Sequence, residues 1–220
     1  MWSEAIGGVD TVNPSDELKR RLAQCPFVAI IRGVSPDEAE EIGAAISEAG
    51  IHIIEVPLNS PDPLMSIERL ARSLGDRALV GAGTVLKPDD VARVQESGGR
   101  IIVSPATNPT VIEATAAANL VSAPGYFTPS EAFTALRSGA HGLKFFPAEA
   151  ATPAVVKAQR AVLPKDVPLL VVGGITPDML QPWLDAGANG FGLGGGLYQP
   201  GQSAEETSRK ARAYVEALKR

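Results

Sequence analysis

The chain contains the stretch Gly142-Leu143-Lys144-Phe145-Phe146-Pro147, a short apolar run that encloses one lysine and ends at a proline. Seven other apolar runs occur along the 220 residues, at intervals of roughly 20 to 27, and each is followed by a helix-like stretch. The eight runs cover residues 27–32, 51–57, 78–84, 100–105, 120–124, 142–146, 169–172 and 190–193. Apolar strands that alternate with helices belong to a parallel sheet covered on its outer side. Eight such units predict an α/β fold, a (β/α)8 TIM barrel.

Helix start and stop signals lie between the runs. A hydroxyl or lysine residue precedes a proline at four predicted starts, which are Ser35-Pro36, Lys87-Pro88, Thr128-Pro129 and Thr176-Pro177. Four predicted helix ends carry an Ala-Gly or Ser-Gly pair, at residues 49–50, 97–98, 138–139 and 186–187. Residues 14–24 predict an extra helix before the first strand, and residues 204 to about 218 predict the last helix. We expect a single domain over residues 1–220, with residues 1–13 as an irregular N-terminal extension.

The composition excludes several classes of function. A net charge of −5 argues against nucleic acid or an anionic membrane as a partner, because both select for basic surfaces. No stretch approaches the roughly 18 to 20 apolar residues of a membrane helix, and residues 1–10 lack the features of a signal peptide. Cys25 is the only cysteine, so an intrachain disulfide is excluded, and the two histidines form no zinc-ligand cluster. We therefore expect a cytoplasmic protein that needs neither a metal nor another cofactor.

Charged residues are rare inside the apolar runs. Lys144 is the one lysine of seven that lies within a run, Glu55 is the one acid, and Arg32 ends the first run. Successive side chains of a strand point to opposite faces, so Glu55 and Lys144 can both face the barrel interior. The neighbours that would then face the helices are all apolar: Ile54, Val56, Leu143 and Phe145. Since barrel active sites lie at the carboxyl ends of the strands, the three charged residues are candidates for a site.

Lys144 has two alternative interpretations. Burial beside Phe145 and Phe146 should lower the pKa of the lysine, and a neutral amine can attack a carbonyl carbon to form a Schiff base. Alternatively, Lys144 and Glu55 form a buried ion pair that only fixes the core, although such pairs seldom add net stability. We favour the catalytic interpretation, because glycine clusters place a ligand site at the same end of the barrel.

The glycine clusters follow the last two runs. Gly173 and Gly174 come after the seventh run, and Gly194 and Gly195 come after the eighth. In barrel enzymes these positions often bind phosphate, because backbone amides can approach the oxyanion and helix N-termini add a favourable field. Residues 81–83 are small and predict room for substrate at the mouth of the third strand, with the Thr84 hydroxyl as a hydrogen-bond donor.

Four motifs carry a family resemblance. They are Ile54-Glu55-Val56-Pro57-Leu58-Asn59-Ser60, Gly81-Ala82-Gly83-Thr84-Val85-Leu86, Leu143-Lys144-Phe145-Phe146-Pro147-Ala148 and Val172-Gly173-Gly174-Ile175. In order and spacing, the chain from about residue 27 to its end resembles the 2-keto-3-deoxy-6-phosphogluconate/phosphogalactonate aldolase family. The resemblance implies a class I aldolase without a metal, usually a homotrimer. Such an enzyme cleaves a small phosphorylated keto-deoxy sugar acid to pyruvate and glyceraldehyde 3-phosphate.

The resemblance also implies a role for each candidate residue. The Schiff-base lysine falls on Lys144 and the proton-shuttling glutamate on Glu55. The remaining residues would bind substrate, namely Arg32, Thr84, Phe146 and Val172, or its phosphate, namely Gly173, Gly174, Gly194 and Gly195. Arg32 and Thr84 would hold the substrate's carboxylate or hydroxyl groups.

Two branches of the family differ in the configuration of the substrate at C4. Val172 stands where the phosphogluconate branch carries threonine and Asn59 where it carries arginine, and residues 197–203 also resemble the phosphogalactonate branch. In contrast, residues 144–149 resemble the phosphogluconate branch more closely. Gly195 stands where relatives often carry serine, which would leave phosphate binding to backbone amides. We expect the phosphogalactonate substrate, with the phosphogluconate epimer as the alternative.

Two other functions stay open from the sequence. A phosphosugar isomerase or epimerase on the same barrel would keep the phosphate glycines. In place of the strand lysine it would usually require a pair of general-base side chains or a metal. A catalytically silent phosphosugar-binding protein would bind the ligand without releasing pyruvate. Fold alone does not separate these functions.

Overall fold

Nine parallel strands form one sheet. The computed structural model describes residues 13–219, so the expectations for residues 1–12 lie outside the described part of the chain. The strands are β1 (Phe27–Ile30), β2 (Ile53–Pro57), β3 (Leu79–Gly83), β4 (Ile101–Val103), β5 (Val121–Ala123), β6 (Gly125–Tyr126), β7 (Leu143–Phe145), β8 (Leu169–Val172) and β9 (Gly190–Leu193). Their order is β5-β4-β3-β2-β1-β9-β8-β7-β6. Each predicted run contains a strand, and the predicted (β/α)8 barrel is confirmed.

The two edges of the sheet, β5 and β6, are separated by Pro124 alone. β5 pairs with β4, whereas β6 pairs with β7. Proline lacks the N–H that would continue a ladder, so the strand breaks there. The carbonyl oxygen of Pro124 still accepts a hydrogen bond from the backbone N–H of Lys144 at 2.9 Å. The fifth predicted run is thus a bent strand with a short extension, and it closes the barrel.

Helices alternate with the strands. They are α1 (Pro14–Gln24), α2 (Pro36–Glu48), α3 (Pro63–Leu74), α4 (Pro88–Glu96), α5 (Pro109–Ala117), α6 (Pro129–Arg137), α7 (Pro153–Arg160), α8 (Leu180–Asp185) and α9 (Ala204–Ala217). Short 3-10 turns cover Gly75–Arg77, Ala148–Ala150 and Pro177–Met179. Over residues 13–219, no helix has both the length and the apolar character needed to cross a membrane.

The predicted helix starts are largely correct. The extra N-terminal helix has the predicted bounds, and proline is the first residue at three of the four predicted starts, 36, 88 and 129. The N-terminal ends of α2 and α6 are stabilised by capping boxes, Ser35 with Glu38 and Thr128 with Glu131. At the fourth start the prediction was inaccurate, because Pro177 begins a 3-10 turn and the α-helix starts only at Leu180.

The barrel has separate inner and outer cores. The inner core consists of strand residues that point into the lumen, and they are Val28, Ile30, Ile53, Leu79, Ile101, Val103, Val121, Ala123, Leu170 and Val172. The outer core packs the other strand face against the helices and includes Ile54, Val56, Leu143 and Phe145. The face predicted for these four residues from strand alternation is confirmed.

Helix α1 closes the amino-terminal end of the barrel. Leu18 and Leu22 belong to the inner core, and a Cβ at Gly142 would lie 2.8 Å from the Leu18 Cδ2 atom. Arg21 fixes the helix there through an ion pair with Glu17 (2.9 Å) and hydrogen bonds to the carbonyl oxygens of Arg77 (2.7 Å) and Asp76 (2.5 Å). Both charged side chains are buried, so removal of one partner would leave the other charge poorly compensated.

We expect Arg21→Met to lower the free energy of unfolding by about 3 kcal/mol, because it removes the buried partner of the Glu17 carboxylate and the donor to two carbonyl oxygens. Arg20 contacts the same carboxylate, but its side chain is 49% exposed. Arg20→Met should therefore lower the free energy of unfolding by less than about 1 kcal/mol. Urea unfolding of the two variants measures the difference. Equal losses would contradict the anchoring role of Arg21.

Candidate active site

Lys144 and Glu55 face each other across the lumen. Lys144 is the middle residue of β7 and Glu55 the middle residue of β2. Between these strands lie β1, β9 and β8 on one side, and β3, β4 and the bent β5–β6 strand on the other. The two strands are therefore opposite one another in the barrel, and side-chain alternation directs both charged groups inward.

The Lys144 side chain is buried but reaches a cavity. Its exposed fraction is 7%, and its Nζ atom lies 5.0 Å from the centre of the Phe146 ring. Gly142 precedes it on the same strand face and packs on the apolar side chain of Leu18. Burial lowers the pKa of Lys144, the positive charge of Arg32 lowers it further, and the negative charge of Glu55 partly opposes the change.

Glu55 is buried more completely. Its exposed fraction is 1%, and its Oε2 atom has no hydrogen-bond partner. Burial raises the pKa of Glu55 to about 7, although the positive charges of Lys144 and Arg32 lower it in part. A carboxyl group with this pKa can accept and return a proton near neutral pH.

Gly83 on β3 makes room for the Glu55 carboxyl group. A Cβ at this position would overlap the carboxyl group, and a Cβ at Gly81 would lie 2.7 Å from the backbone nitrogen of Ile101. The small residues of this strand were expected to leave room for substrate. Instead, they accommodate Glu55 and the backbone of β4.

Lys144 and Glu55 do not form a direct ion pair. Over the described range 13–219, no contact within 4.0 Å joins the lysine nitrogen to the Glu55 carboxylate. Each group influences the pKa of the other, so they are close enough to interact through the lumen. The alternative interpretation, a salt bridge that only fixes the core, therefore has no direct contact to support it.

A cavity of about 590 Å³ lies at the carboxyl ends of the strands. Most of the candidate site residues line it, and they are Arg32, Thr84, Lys144, Phe146, Val172, Gly173, Gly174, Gly194 and Gly195. Glu55 does not line it, because its side chain lies deeper in the barrel. Residues from five different strand ends thus meet in one cavity of a size suited to a small ligand.

Arg32 is held at the rim of this cavity by two side chains. It donates hydrogen bonds from Nη1 to the Asn59 Oδ1 atom and from Nη2 to the Thr84 Oγ1 atom, the latter at 3.4 Å. Thr84 has a φ of 56°, a left-handed conformation that is strained for a β-branched residue. Because its oxygen accepts from Arg32, the Thr84 hydroxyl hydrogen is left to donate to a ligand.

The glycine clusters follow β8 and β9, and their part of the cavity lining is called the glycine end below. Gly173 and Gly174 have positive φ values of 121° and 63°, so other residues would be strained there. A Cβ at Gly194 or Gly195 would meet no atom within 4 Å, so the protein's own packing does not require glycine at either position. Neither cluster leads directly into an α-helix, contrary to the prediction. A 3-10 turn follows Gly174, and α9 begins only at Ala204.

The sequence did not identify Glu149, Thr176, Tyr198 and Gln199 as cavity residues, although all four line it. Each follows a strand end within about eight residues, a weak signal shared by many loop residues. The structure adds no metal-ligand candidates, because residues 13–219 contain no group of three or more His, Cys, Asp or Glu side chains placed to hold an ion. His141 has a structural contact, since its Nδ1 atom accepts the backbone N–H of Ser122 at 3.0 Å.

Known proteins share both the sequence and the fold of this chain. Residues 18–210 match the aldolase family described as KDPG and KHG aldolase. The chain is 45% identical over 194 residues to the 2-dehydro-3-deoxy-6-phosphogalactonate aldolase of Escherichia coli (strain K12), a match that covers 88% of this chain and 95% of that protein. It is 30% identical over 205 residues to the KHG/KDPG aldolase of the same strain, covering 90% and 94% of the two.

Solved structures agree with the sequence relatives. The native KDPGal structure has a TM-score of 0.88 and 45% sequence identity, and the match covers 89% of this chain and 95% of that chain. A family match over most of the chain, together with relatives at 30% and 45% identity, establishes the family. The chain belongs to the KDPG and KHG aldolase family.

Proposed function

We propose that this chain is a class I aldolase that cleaves 2-dehydro-3-deoxy-6-phosphogalactonate to pyruvate and D-glyceraldehyde 3-phosphate. The observation that carries the proposal is Lys144, a buried lysine whose pKa is lowered and which lines a cavity opposite a buried carboxyl group. Family membership supports the reaction class, and the 45% identical relative supports the substrate.

The reaction begins at Lys144. A larger fraction of this amine is neutral near pH 7 than for an exposed lysine, because burial and Arg32 both disfavour the ammonium form. The neutral amine attacks the C2 ketone of the substrate, and loss of water gives a protonated imine. The imine draws electrons from the adjacent C3–C4 bond, so no metal is required as a Lewis acid.

Glu55 then serves first as base and later as acid. Its carboxylate removes the proton of the C4 hydroxyl through a water molecule, the C3–C4 bond breaks, and the aldehyde leaves. The electrons of that bond form an enamine of pyruvate on Lys144. Glu55 returns the proton to C3, and hydrolysis of the imine releases pyruvate. A pKa of about 7 suits both steps, because the two protonation states are then comparably populated at neutral pH.

The two ends of the cavity fit the two ends of this substrate. Arg32 and Thr84 would hold the carboxylate or hydroxyl groups, and Phe146 and Val172 would line the carbon chain. Gly173, Gly174, Gly194 and Gly195 would take the phosphate through backbone amides, as glycines do after the last strands of many barrels. The open space at Gly195 suits a bulky terminal group.

The C4 epimer, 2-dehydro-3-deoxy-6-phosphogluconate, is the second candidate substrate. Val172, an apolar residue of the cavity wall, favours the galactonate compound within the family pattern, as does Asn59, whose side chain holds Arg32. Family membership also supports two further proposals. We propose that the chain assembles as a homotrimer and acts in the cytoplasm.

The Schiff base can be tested by reduction with borohydride in the presence of pyruvate. The wild-type enzyme should gain one covalent pyruvate adduct by mass spectrometry, and Lys144→Met should gain none. Lys157→Met, at an exposed position of α7, is the matched control and should be labelled like the wild type. Labelling of Lys144→Met, or loss of wild-type activity on chelation of metals, would contradict the proposed chemistry.

The role of Glu55 can be tested by exchange of the pyruvate C3 protons with solvent deuterium, followed by NMR. Pyruvate has no group that titrates near pH 7, unlike the phosphorylated substrate. Since the carboxylate is the active base, the exchange rate should rise with pH up to about 7 and then level off. Glu55→Gln should keep imine trapping but reduce exchange about 100-fold or more. Exchange at the wild-type rate in this variant would remove Glu55 from the mechanism.

The preferred epimer can be tested by parallel kinetics on the two phosphorylated substrates, with lactate dehydrogenase to detect pyruvate. We expect a higher kcat/KM for the galactonate compound, because the cavity wall offers the apolar Val172 beside the carbon chain. If one or two contacts discriminate between the epimers, the ratio of their kcat/KM values should be about tenfold to hundredfold. A ratio in favour of the gluconate compound would overturn the substrate but keep the reaction class.

A further inference from the structure

Glu149 places a carboxylate at the glycine end of the cavity. It lies in the 3-10 turn Ala148–Ala150, which follows the lysine strand after Phe146 and Pro147. A Cβ at Gly173 would overlap the Glu149 carboxyl group, and a Cβ at Gly174 would lie 2.8 Å from the Glu149 Cγ atom. The acidic side chain therefore rests directly on the two glycines to which phosphate binding was assigned.

The charges of the cavity are unevenly distributed. Among residues 13–219, the cationic side chains that line it are Arg32 and Lys144. Arg32 donates its side-chain hydrogen bonds to Asn59 and Thr84, not to Glu149. The polar side chains at the glycine end are Glu149, Thr176 and Gln199, none of which carries a positive charge. A phosphate dianion at this end would thus meet backbone amides and one carboxylate.

The Glu149 carboxylate has no structural partner that would explain its position. No hydrogen bond or ion pair of its side chain occurs in the described part of the chain, and the residue is exposed. Removing its charge should therefore leave the fold intact. Its proximity to Gly173 and Gly174 is better explained by an effect on the ligand.

We propose that Glu149 is a specificity-determining residue that weakens binding of the substrate phosphate and so reduces the preference of the site for phosphorylated over non-phosphorylated aldehydes. The proposal rests on the proposed aldolase function. Its physical basis is repulsion between like charges, which is only partly screened in a cleft. Gly195 acts in the same direction, because it offers no hydroxyl group to the phosphate although a side chain would fit there.

The first test compares two acceptors in the condensation direction, with pyruvate as the common donor. The kcat/KM for D-glyceraldehyde 3-phosphate is divided by that for D-glyceraldehyde, so that any change in the lysine chemistry cancels. Glu149→Gln removes the charge at nearly constant size and should raise this ratio about tenfold. Glu113→Gln, at an exposed position of α5 outside the cavity, is the matched control and should leave the ratio unchanged.

The second test does not depend on catalysis. Calorimetry measures the Kd of inorganic phosphate at about pH 8, where phosphate is a dianion. The Kd should fall about tenfold in Glu149→Gln and stay the same in Glu113→Gln. An unchanged Kd and an unchanged acceptor ratio would overturn the role of Glu149. Absence of condensation with either acceptor in the wild type would instead contradict the proposed function, and the phosphate Kd would still decide the role of Glu149.

Discussion

Desolvation of two opposite charges inside one barrel is the constraint on which the site depends. Lys144 and Glu55 are both buried, and the energetic cost of burying each charge is only partly offset by the charge of the other. If they touched, their attraction would restore the charged forms and the pair would be a structural salt bridge. Because they stay apart across the lumen, burial dominates both pKa values, lowering that of the amine and raising that of the acid. The separation therefore raises the pKa of Glu55 to about 7 and keeps the pKa of Lys144 below its ordinary value.

Packing beneath Lys144 and beside Glu55 maintains this separation. Beneath Lys144, Gly142 leaves just enough room for Leu18 of α1, so the amino-terminal end of the barrel is filled with apolar atoms. Beside Glu55, Gly83 leaves room for the carboxyl group to lie sideways in the barrel wall. The anchoring of α1 by Arg21, far from the chemistry, thus helps to preserve the pKa values at the centre.

Much of this arrangement could be predicted from the sequence, because it follows from strand alternation. A lysine and a glutamate inside apolar runs must face the lumen if their neighbours are to meet the helices, and Leu143, Phe145, Ile54 and Val56 do so. Alternation says nothing about depth or separation, which depend on how far each strand is shifted along the barrel axis. The sequence therefore could not show that Glu55 lies below the cavity while Lys144 lines it. Nor could it show the strand break at Pro124, since a proline at the end of a run is equally consistent with a loop.

Loop residues are less predictable, and Glu149 illustrates the physical reason. Its distance from Lys144 in the chain is small, but its position on Gly173 depends on the turn after Pro147 and on the backbone after β8, which are independent of each other. The result is a cavity lined by two cations, Arg32 and Lys144, and by a carboxylate that lies against Gly173 and Gly174. Under the proposed function, an anionic ligand with two charged ends would be oriented chiefly by its carboxylate, if Arg32 binds it, and less by its phosphate. Because the reacting C2 carbon is adjacent to that carboxylate, strong attraction at the Arg32 end directly fixes the carbonyl beside Lys144, whereas strong attraction at the far end would fix it only through a flexible carbon chain.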